Sequence, residues 1–186
     1  MTMRIVPTEL AEVVIIEPRI HTDDRGFLVV SFNEHEFADA GLPTHFAQDN
    51  HSRSVGGVIR ALHFQGRTPQ GKLITAMTGE IFDVAVDVRV GSPTFGKWTG
   101  LTLRGSEPRY FWIPPGFAHG FAVLSEFADV AYKCTSMFEP GHQYGIRWDD
   151  PAIGISWPIA NPILSAADRA SPLLHDMFDS LPRFGA

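Results

Sequence analysis

Short strand-like segments separated by turn residues recur along most of the chain. They are rich in Val, Ile, Phe and Thr, and clusters such as "VGSPTFG" and "EPGHQYG" divide them. Helical patterns are rare: one at residues 33–41, with Asn33 as N-cap, and short ones at 165–170 and 173–181. The pattern predicts an all-β sandwich or jelly roll. The predicted strands are 12–17, 27–32, 44–50, 57–64, 72–77, 81–88, 98–103, 109–113, 121–124 and 130–137.

Length and charge exclude several classes of protein. A chain of 186 residues suits one domain, residues 1–186. The net charge is −6 and no polybasic run is present, so neither nucleic acid nor a membrane is expected as a partner. The N-terminus lacks the apolar region of a signal peptide, and a cytoplasmic protein is expected. The single cysteine, Cys134, excludes an internal disulfide and a Cys-rich metal site.

Two histidine segments stand out among the predicted strands. "GGVIRALHFQG" places Arg60 and His63 within an apolar run, and "WIPPGFAHGFAVL" contains His119. A cation beside a titratable imidazole suits a ligand that is anionic at one end and exchanges protons at the other. Both segments therefore predict a ligand site on the strands.

The two segments are similar to parts of the metal-binding motifs of the cupin family. That family pairs a first motif, two His one residue apart with a nearby Glu, with a second motif of the form Pro-x-Gly-x-x-His. "PPGFAH" fits the second motif, but Gln65 stands where the first motif needs its second His. Two His and a Gln make a poor metal site, so acid–base chemistry without a metal is expected.

Nine strings in a fixed order extend this resemblance over roughly residues 10–175. They resemble the dTDP-4-dehydrorhamnose 3,5-epimerase family. The resemblance implies a cupin-type jelly roll with a few short helices, mainly at the C-terminus, and no cofactor. It also implies a homodimer that exchanges strands and acts on a nucleotide sugar during synthesis of activated L-rhamnose for polysaccharide. The strings are "DDRGFLVVSFN", "FAQDNHSRS", "GVIRALHFQ", "QGKL", "GEIFDVAVDVR", "SPTFGKW", "WIPPGFAHGF", "YKCT" and "LSAAD".

The resemblance assigns four catalytic roles. An epimerase acting beside a ketone removes a carbon-bound proton, holds an enolate and returns a proton from the other face. His63 is expected to be the base, oriented by Asp168. Lys72 is expected near the enolate oxygen, and Tyr132 is expected to be the opposing acid. The alternatives are a helix cap for Asp168, a solvated lysine for Lys72 and a core aromatic for Tyr132.

Further residues are expected to bind the substrate. Arginine forks meet phosphate oxygens bidentately, and amides add hydrogen bonds along a nucleotide. Phe27 would pack on the base or the sugar, and His119 would touch the sugar or help hold His63. Asp83 is expected to be hydrogen-bonded near one of these histidines without being catalytic. The binding set is Arg25, Phe27, Gln48, Asn50, Arg60 and His119.

The chain departs from the family pattern at Val30, Gln143 and Ala167, positions associated with the nucleotide and its diphosphate, and at Ala61, where a glycine is usual. The chemistry is therefore better supported than the choice of nucleotide. One alternative is a related epimerase that uses another nucleotide or sugar, or that inverts one carbon. A ketoisomerase fits the motifs less well. Outside this chemistry, the alternatives are a non-catalytic sugar-binding cupin and a metal-using cupin oxygenase.

Overall fold

The computed structural model describes residues 3–185, and its regular secondary structure is nearly all antiparallel strand, which confirms the all-β prediction. Three short helices accompany them: α1 (Glu34–Asp39), α2 (Ala166–Arg169) and a 3-10 helix (Leu174–Met177). The strands are β1 (Met3–Pro7), β2 (Val14–Pro18), β3 (Ile20–Asp23), β4 (Gly26–Val29), β5 (Gln48–Val55), β6 (Ile59–Gln65), β7 (Lys72–Thr78), β8 (Glu80–Asp87), β9 (Trp98–Arg104), β10 (Tyr110–Ile113), β11 (Phe117–Val123), β12 (Phe127–Cys134) and β13 (Gln143–Gly145).

Two sheets form the jelly roll. A six-stranded sheet has the order β1-β2-β10-β7-β12-β5, and a five-stranded sheet has the order β13-β6-β11-β8-β9. Large apolar side chains fill the space between them, among them Ile74, Phe111 and Phe117. The C-terminal segments, which follow β13 and include Ile146, Ile153, Leu174 and Leu181, cover the outer face of the five-stranded sheet. Helix α1 packs through Phe37 on the six-stranded sheet. Burial of apolar surface on both faces is the main force that holds such sheets together.

Strand β8 is covered on both faces, so its apolar residues do not alternate regularly with polar ones. Ile81 and Ala85 point between the sheets, whereas Val84 and Val86 point to the C-terminal segments. A strand with both faces covered reads as a nearly continuous apolar run. Asp83 and Asp87 are polar exceptions on this strand, and both are fully buried.

Several boundaries differ from the sequence predictions. Strand β11 begins at Phe117, so His119 lies inside a strand, and β5 continues to Val55. Strands β1, β3 and β13 were not predicted, because they are short and carry polar or proline residues that resemble turns. The first helix was predicted correctly: the Asn33 side chain accepts a hydrogen bond from the Glu36 N–H, as an N-cap does. Within residues 3–185, no helix is long and apolar enough to cross a membrane.

Strands β3 and β4 form a separate two-stranded hairpin that presents apolar side chains to solvent. Phe27 is 53% exposed and Leu28 is 64% exposed. An isolated two-stranded hairpin is only marginally stable in water. The exposed hairpin is therefore a surface that another protein segment would stabilise by covering it.

Candidate active site

A cavity of about 320 Å³ opens between the two sheets. Seven of the ten residues predicted for the site line it, and Asp168 touches it through His63. The lining residues are Gln48, Asn50, Ser52, Arg60, His63, Phe64, Gln65, Gln70, Lys72, His119, Phe121, Tyr132, Cys134, Phe138 and Gln143.

A bulge in β6 brings Arg60 and His63 to the same wall of the cavity. His119 pairs with His63, but Phe121 pairs with Arg60, so two residues of β6 lie opposite the single residue of β11 between these pairs. On a regular strand, residues three apart point to opposite faces, and a bulge re-aims one of them. Opposite the bulge lies Gly120, where an added Cβ would come within 2.4 Å of the Ala61 Cβ. The absence of a side chain at Gly120 makes room for Ala61.

His63 is held by a buried carboxylate. Its Nε2 lies 2.6 Å from Oδ1 of Asp168, whose side chain is only 8% exposed. A carboxylate accepts hydrogen bonds, so in the neutral imidazole Nε2 carries the proton and Nδ1 has the lone pair. Asp168 lies in the single turn of α2, and the cap of that turn is Ser165 rather than Asp168. This arrangement leaves His63 with one basic nitrogen and a fixed ring.

His119 forms a second, more buried pair with Asp83. Its Nε2 lies 3.0 and 3.1 Å from the two carboxylate oxygens, as expected for Asp83. Burial lowers the pKa of His119, and the attraction of Asp83 opposes this shift only in part. His119 is therefore mostly neutral at pH 7. It stands directly across from His63 on the neighbouring strand.

Lys72 and Tyr132 lie on the wall that faces the histidines. Burial lowers the pKa of Lys72, although the nearby Cys134 and Asp83 raise it in part. Within residues 3–185, no hydrogen bond or ion pair occupies the Lys72 ammonium. Burial raises the pKa of Tyr132, so its phenol keeps its proton well above neutral pH. The site therefore offers an amine with no hydrogen-bond partner and a protonated acid.

Gln65, at the degraded metal motif, is committed to the backbone. Its amide nitrogen donates to the carbonyls of Thr68 (2.6 Å) and Met137 (3.2 Å), and its carbonyl accepts from the Glu139 N–H (2.9 Å). A buried amide with these partners fastens two loops together and has no spare atom to aim at a metal. The residues that the structure describes contain no group of three or more His, Cys, Asp or Glu side chains placed to hold a metal.

A hydrogen-bonded chain on the β5 side of the cavity was not predicted. The Phe138 N–H donates to Gln48, the Gln48 amide donates to Asn50, and the Asn50 amide reaches the Cys134 sulfur at 3.5 Å. Phe138 is 46% exposed at the mouth. Its sequence signal was an aromatic residue between "YKCT" and a Pro-Gly turn. Burial raises the pKa of Cys134, which keeps the thiol neutral.

Arg60 fits its predicted position, but Arg25 and Phe27 lie outside this cavity. The Arg60 Nε donates to Ser54, which fixes the guanidinium at the wall. Arg25 is 90% exposed on the hairpin and pairs with Asp23. Phe27 lines a separate cavity of about 350 Å³ on the outer face of the six-stranded sheet. Of the departures from the family pattern, only Gln143 lines the site cavity, whereas Val30 and Ala167 are exposed.

Known proteins resemble the chain over nearly its whole length. The family model described as dTDP-4-dehydrorhamnose 3,5-epimerase matches residues 7–176. An enzyme of that name from Pseudomonas aeruginosa is 49% identical over 176 residues, covering 94% of this chain and 97% of the relative. Another, from Methanothermobacter thermautotrophicus, is 51% identical over 169 residues, covering 89% and 91%. A Legionella pneumophila 3,5-epimerase solved with dTDP-4-keto-L-rhamnose superposes with a TM-score of 0.95 at 48% identity, covering 99% of this chain and 100% of that structure.

A relative with a narrower activity is less similar. A dTDP-4-dehydrorhamnose 3-epimerase from Streptomyces niveus is 37% identical over 180 residues, covering 96% of this chain and 87% of the relative. The chain thus has higher identity to the named relatives that act at two carbons than to this one.

Proposed function

The chain belongs to the dTDP-4-dehydrorhamnose 3,5-epimerase family, and from this premise we propose that it converts dTDP-4-dehydro-6-deoxyglucose to dTDP-4-dehydrorhamnose by inverting C3 and C5. As a member of this family it is an isomerase. The observation that carries the proposal is the placement of the base and the acid. His63 stands on β6 of one sheet and Tyr132 stands on β12 of the other, so the two approach a bound sugar from opposite faces.

The arrangement supports a proton-transfer mechanism through an enolate. Nδ1 of His63 takes the proton from C3 or C5, and the electron pair of that C–H bond moves toward the C4 carbonyl oxygen. The Lys72 ammonium stabilises the resulting oxyanion, because it is preorganised, unpaired and only partly solvated. As the carbonyl re-forms, the enolate carbon takes a proton from the Tyr132 hydroxyl on the other face. Solvent then returns the proton to Tyr132 and removes the one on His63.

The remaining cavity residues suit the diphosphate and the nucleoside. The Arg60 guanidinium, anchored by Ser54, is a bidentate partner for phosphate oxygens. Gln48 and Asn50 border the same wall and retain amide hydrogens for a ligand. The exposed ring of Phe138 supplies a flat apolar surface at the mouth for a base.

Proton NMR in deuterated solvent tests the activity. With dTDP-4-dehydro-6-deoxyglucose we expect deuterium to enter at C3 and C5 as the product forms. Exchange at one carbon would instead identify a mono-epimerase. Absence of exchange with every nucleotide-linked 4-keto sugar would identify a non-catalytic sugar-binding protein. Binding measured with dTDP, UDP, GDP and CDP compounds decides the nucleotide, and we expect dTDP to bind most tightly.

We also propose that the enzyme is a homodimer in which each hairpin completes the partner's site. The hairpin carries Arg25 away from its own cavity and exposes Phe27 and Leu28. Strand β5, which bears Gln48 and Asn50, is the edge of the six-stranded sheet and pairs only with β12 among the described residues. An exposed edge accepts another strand readily. A hairpin docked there would place its Arg25 at the mouth of the partner's cavity. The cytoplasmic location expected from the sequence stays a prediction.

Complementation between two impaired variants tests the shared site. We expect Arg25→Ala to raise KM about tenfold or more, because a charge-assisted phosphate contact is lost. His63→Ala removes the base. After subunit exchange in an equal mixture, half of the dimers contain one protomer of each variant. In such a dimer one site has both His63 and the partner's Arg25, and the other site has neither. About a quarter of wild-type activity should therefore return at low substrate concentration. No recovery despite demonstrated exchange would show that Arg25 acts within its own protomer or not at all.

A further inference from the structure

We propose that Ser165 is a positioning residue for the acid–base pair, holding the Asp168 carboxylate against His63. This inference deepens the proposed function and rests on it. The Ser165 hydroxyl accepts a hydrogen bond of 3.0 Å from the backbone N–H of Asp168 itself. No other side chain among the described residues caps α2. The serine therefore acts on the backbone that carries the carboxylate and does not touch the substrate cavity.

The proposal follows first from the sequence pattern around α2. Ser165 and Asp168 stand at the N-cap and third helical positions, the spacing of a capping box. In a complete capping box, the acidic side chain turns back to the backbone N–H of the cap. Here the Asp168 carboxylate instead lies 2.6 Å from His63 Nε2. One half of the box is formed, and the other half is diverted to the imidazole.

The length of α2 makes the cap important. The helix has four residues, and its remaining internal bonds are a few backbone contacts such as Arg169 N–H to Ser165 C=O at 3.1 Å. Helices this short do not persist without tertiary support, because a single turn fixes many dihedral angles for few hydrogen bonds. Asp168 is buried whereas Ala166, Ala167 and Arg169 are exposed. Outside packing therefore restrains only one side of the turn, and the cap restrains its start.

Replacing the hydroxyl should reduce catalysis without weakening substrate binding. For Ser165→Ala we expect kcat to fall about tenfold and KM to change less than about twofold, because a base displaced by a fraction of an ångström loses rate but not affinity. Ser165→Gly should show the same loss of kcat. Because glycine is nearly as good an N-cap as serine for stability, this loss would not come from a less stable helix. Ser165→Thr restores the acceptor and should recover most of the rate. Asn33→Ala, which removes the matching cap of α1, should leave kcat unchanged.

A spectroscopic measurement separates this proposal from the proposed function. The His63 Nε2 proton, bonded to a carboxylate, is expected as a downfield imidazole signal in the NMR spectrum of the free protein. The signal should shift and broaden in Ser165→Ala and Ser165→Gly but not in Asn33→Ala. A wild-type signal and wild-type kcat in Ser165→Gly would overturn the proposal. If the wild-type protein epimerised no sugar but the signal still changed in the two Ser165 variants, only the proposed function would be overturned.

Discussion

His63→Ala should abolish deuterium exchange at both C3 and C5, with a loss of about 10³-fold or more in rate. Exchange requires a base at the proton, and Nδ1 of His63 is the nitrogen that Asp168 leaves free. Because Ala also strands the buried Asp168 carboxylate, His63→Gln is the companion variant: its amide can donate to Asp168 but cannot act as a base. His35→Ala, at an exposed histidine of α1, is the control. Exchange at the wild-type rate in His63→Gln would disprove the assignment of the base.

Tyr132→Phe provides the comparison that separates the two halves of the reaction. His63 and Lys72 remain, so a proton can still be removed and returned on the same face of the sugar, and some exchange is retained. Net inversion should slow because the acid on the opposite sheet is missing. Measuring exchange and product formation in one NMR time course gives both rates. Equal loss of exchange and inversion would show instead that Tyr132 helps to form the enolate.

The local order of strands was largely predictable because covered strands have strong apolar patterns, as β7 and β8 do. Short strands were not. Strands β1 and β3 pair with the next strands along the chain but carry polar or proline residues that resemble turns, and β13 is stabilised by β6, far away in the sequence. The same limit applies to the site. The family resemblance assigned proton chemistry to His63, Lys72 and Tyr132, but nothing local showed that the latter two stand on the opposite sheet from His63.

Three features of the site depend on the tertiary structure and could not be predicted from the sequence. The β6 bulge, which turns both Arg60 and His63 into the cavity, depends on pairing with β11 and on the space at Gly120. The second feature is the position of the β3–β4 hairpin. The motif containing Arg25 suggested a phosphate contact, but Arg25 does not line the cavity of its own protomer. The third feature is the lack of a hydrogen-bond partner for Lys72. It depends on the side chains that surround Lys72 in the fold and not on its neighbours in "QGKL".

Lys72→Met should lower kcat about 10²-fold while making the protein more stable at neutral pH. Burial depresses the pKa of Lys72 below its ordinary value of 10.5. At pH 7 the unfolded chain solvates this charge fully and the folded protein does not, so Lys72 lowers the free energy of unfolding. That cost begins to fall as the pH rises through the depressed pKa and disappears only above 10.5, where the unfolded chain has lost the proton as well. Methionine fills a similar volume without a charge, and the Tm should therefore rise at pH 7.

The pH dependence of Lys72→Met checks the same cause in two ways. Wild-type activity should decline on the alkaline side as Lys72 loses its proton, at a lower pH than for a solvated lysine, and Lys72→Met should lack that decline. The Tm advantage of the variant should shrink as the pH rises from the depressed pKa toward 10.5, because the lysine is then neutral in the folded protein and loses its charge in the unfolded chain too. Lys97→Met, at an exposed lysine before β9, should change neither kcat nor this pH profile. If Lys72→Met kept wild-type kcat, or lost stability at pH 7 while Lys97→Met did not, the idea of a desolvated clamp held ready for the enolate would be wrong.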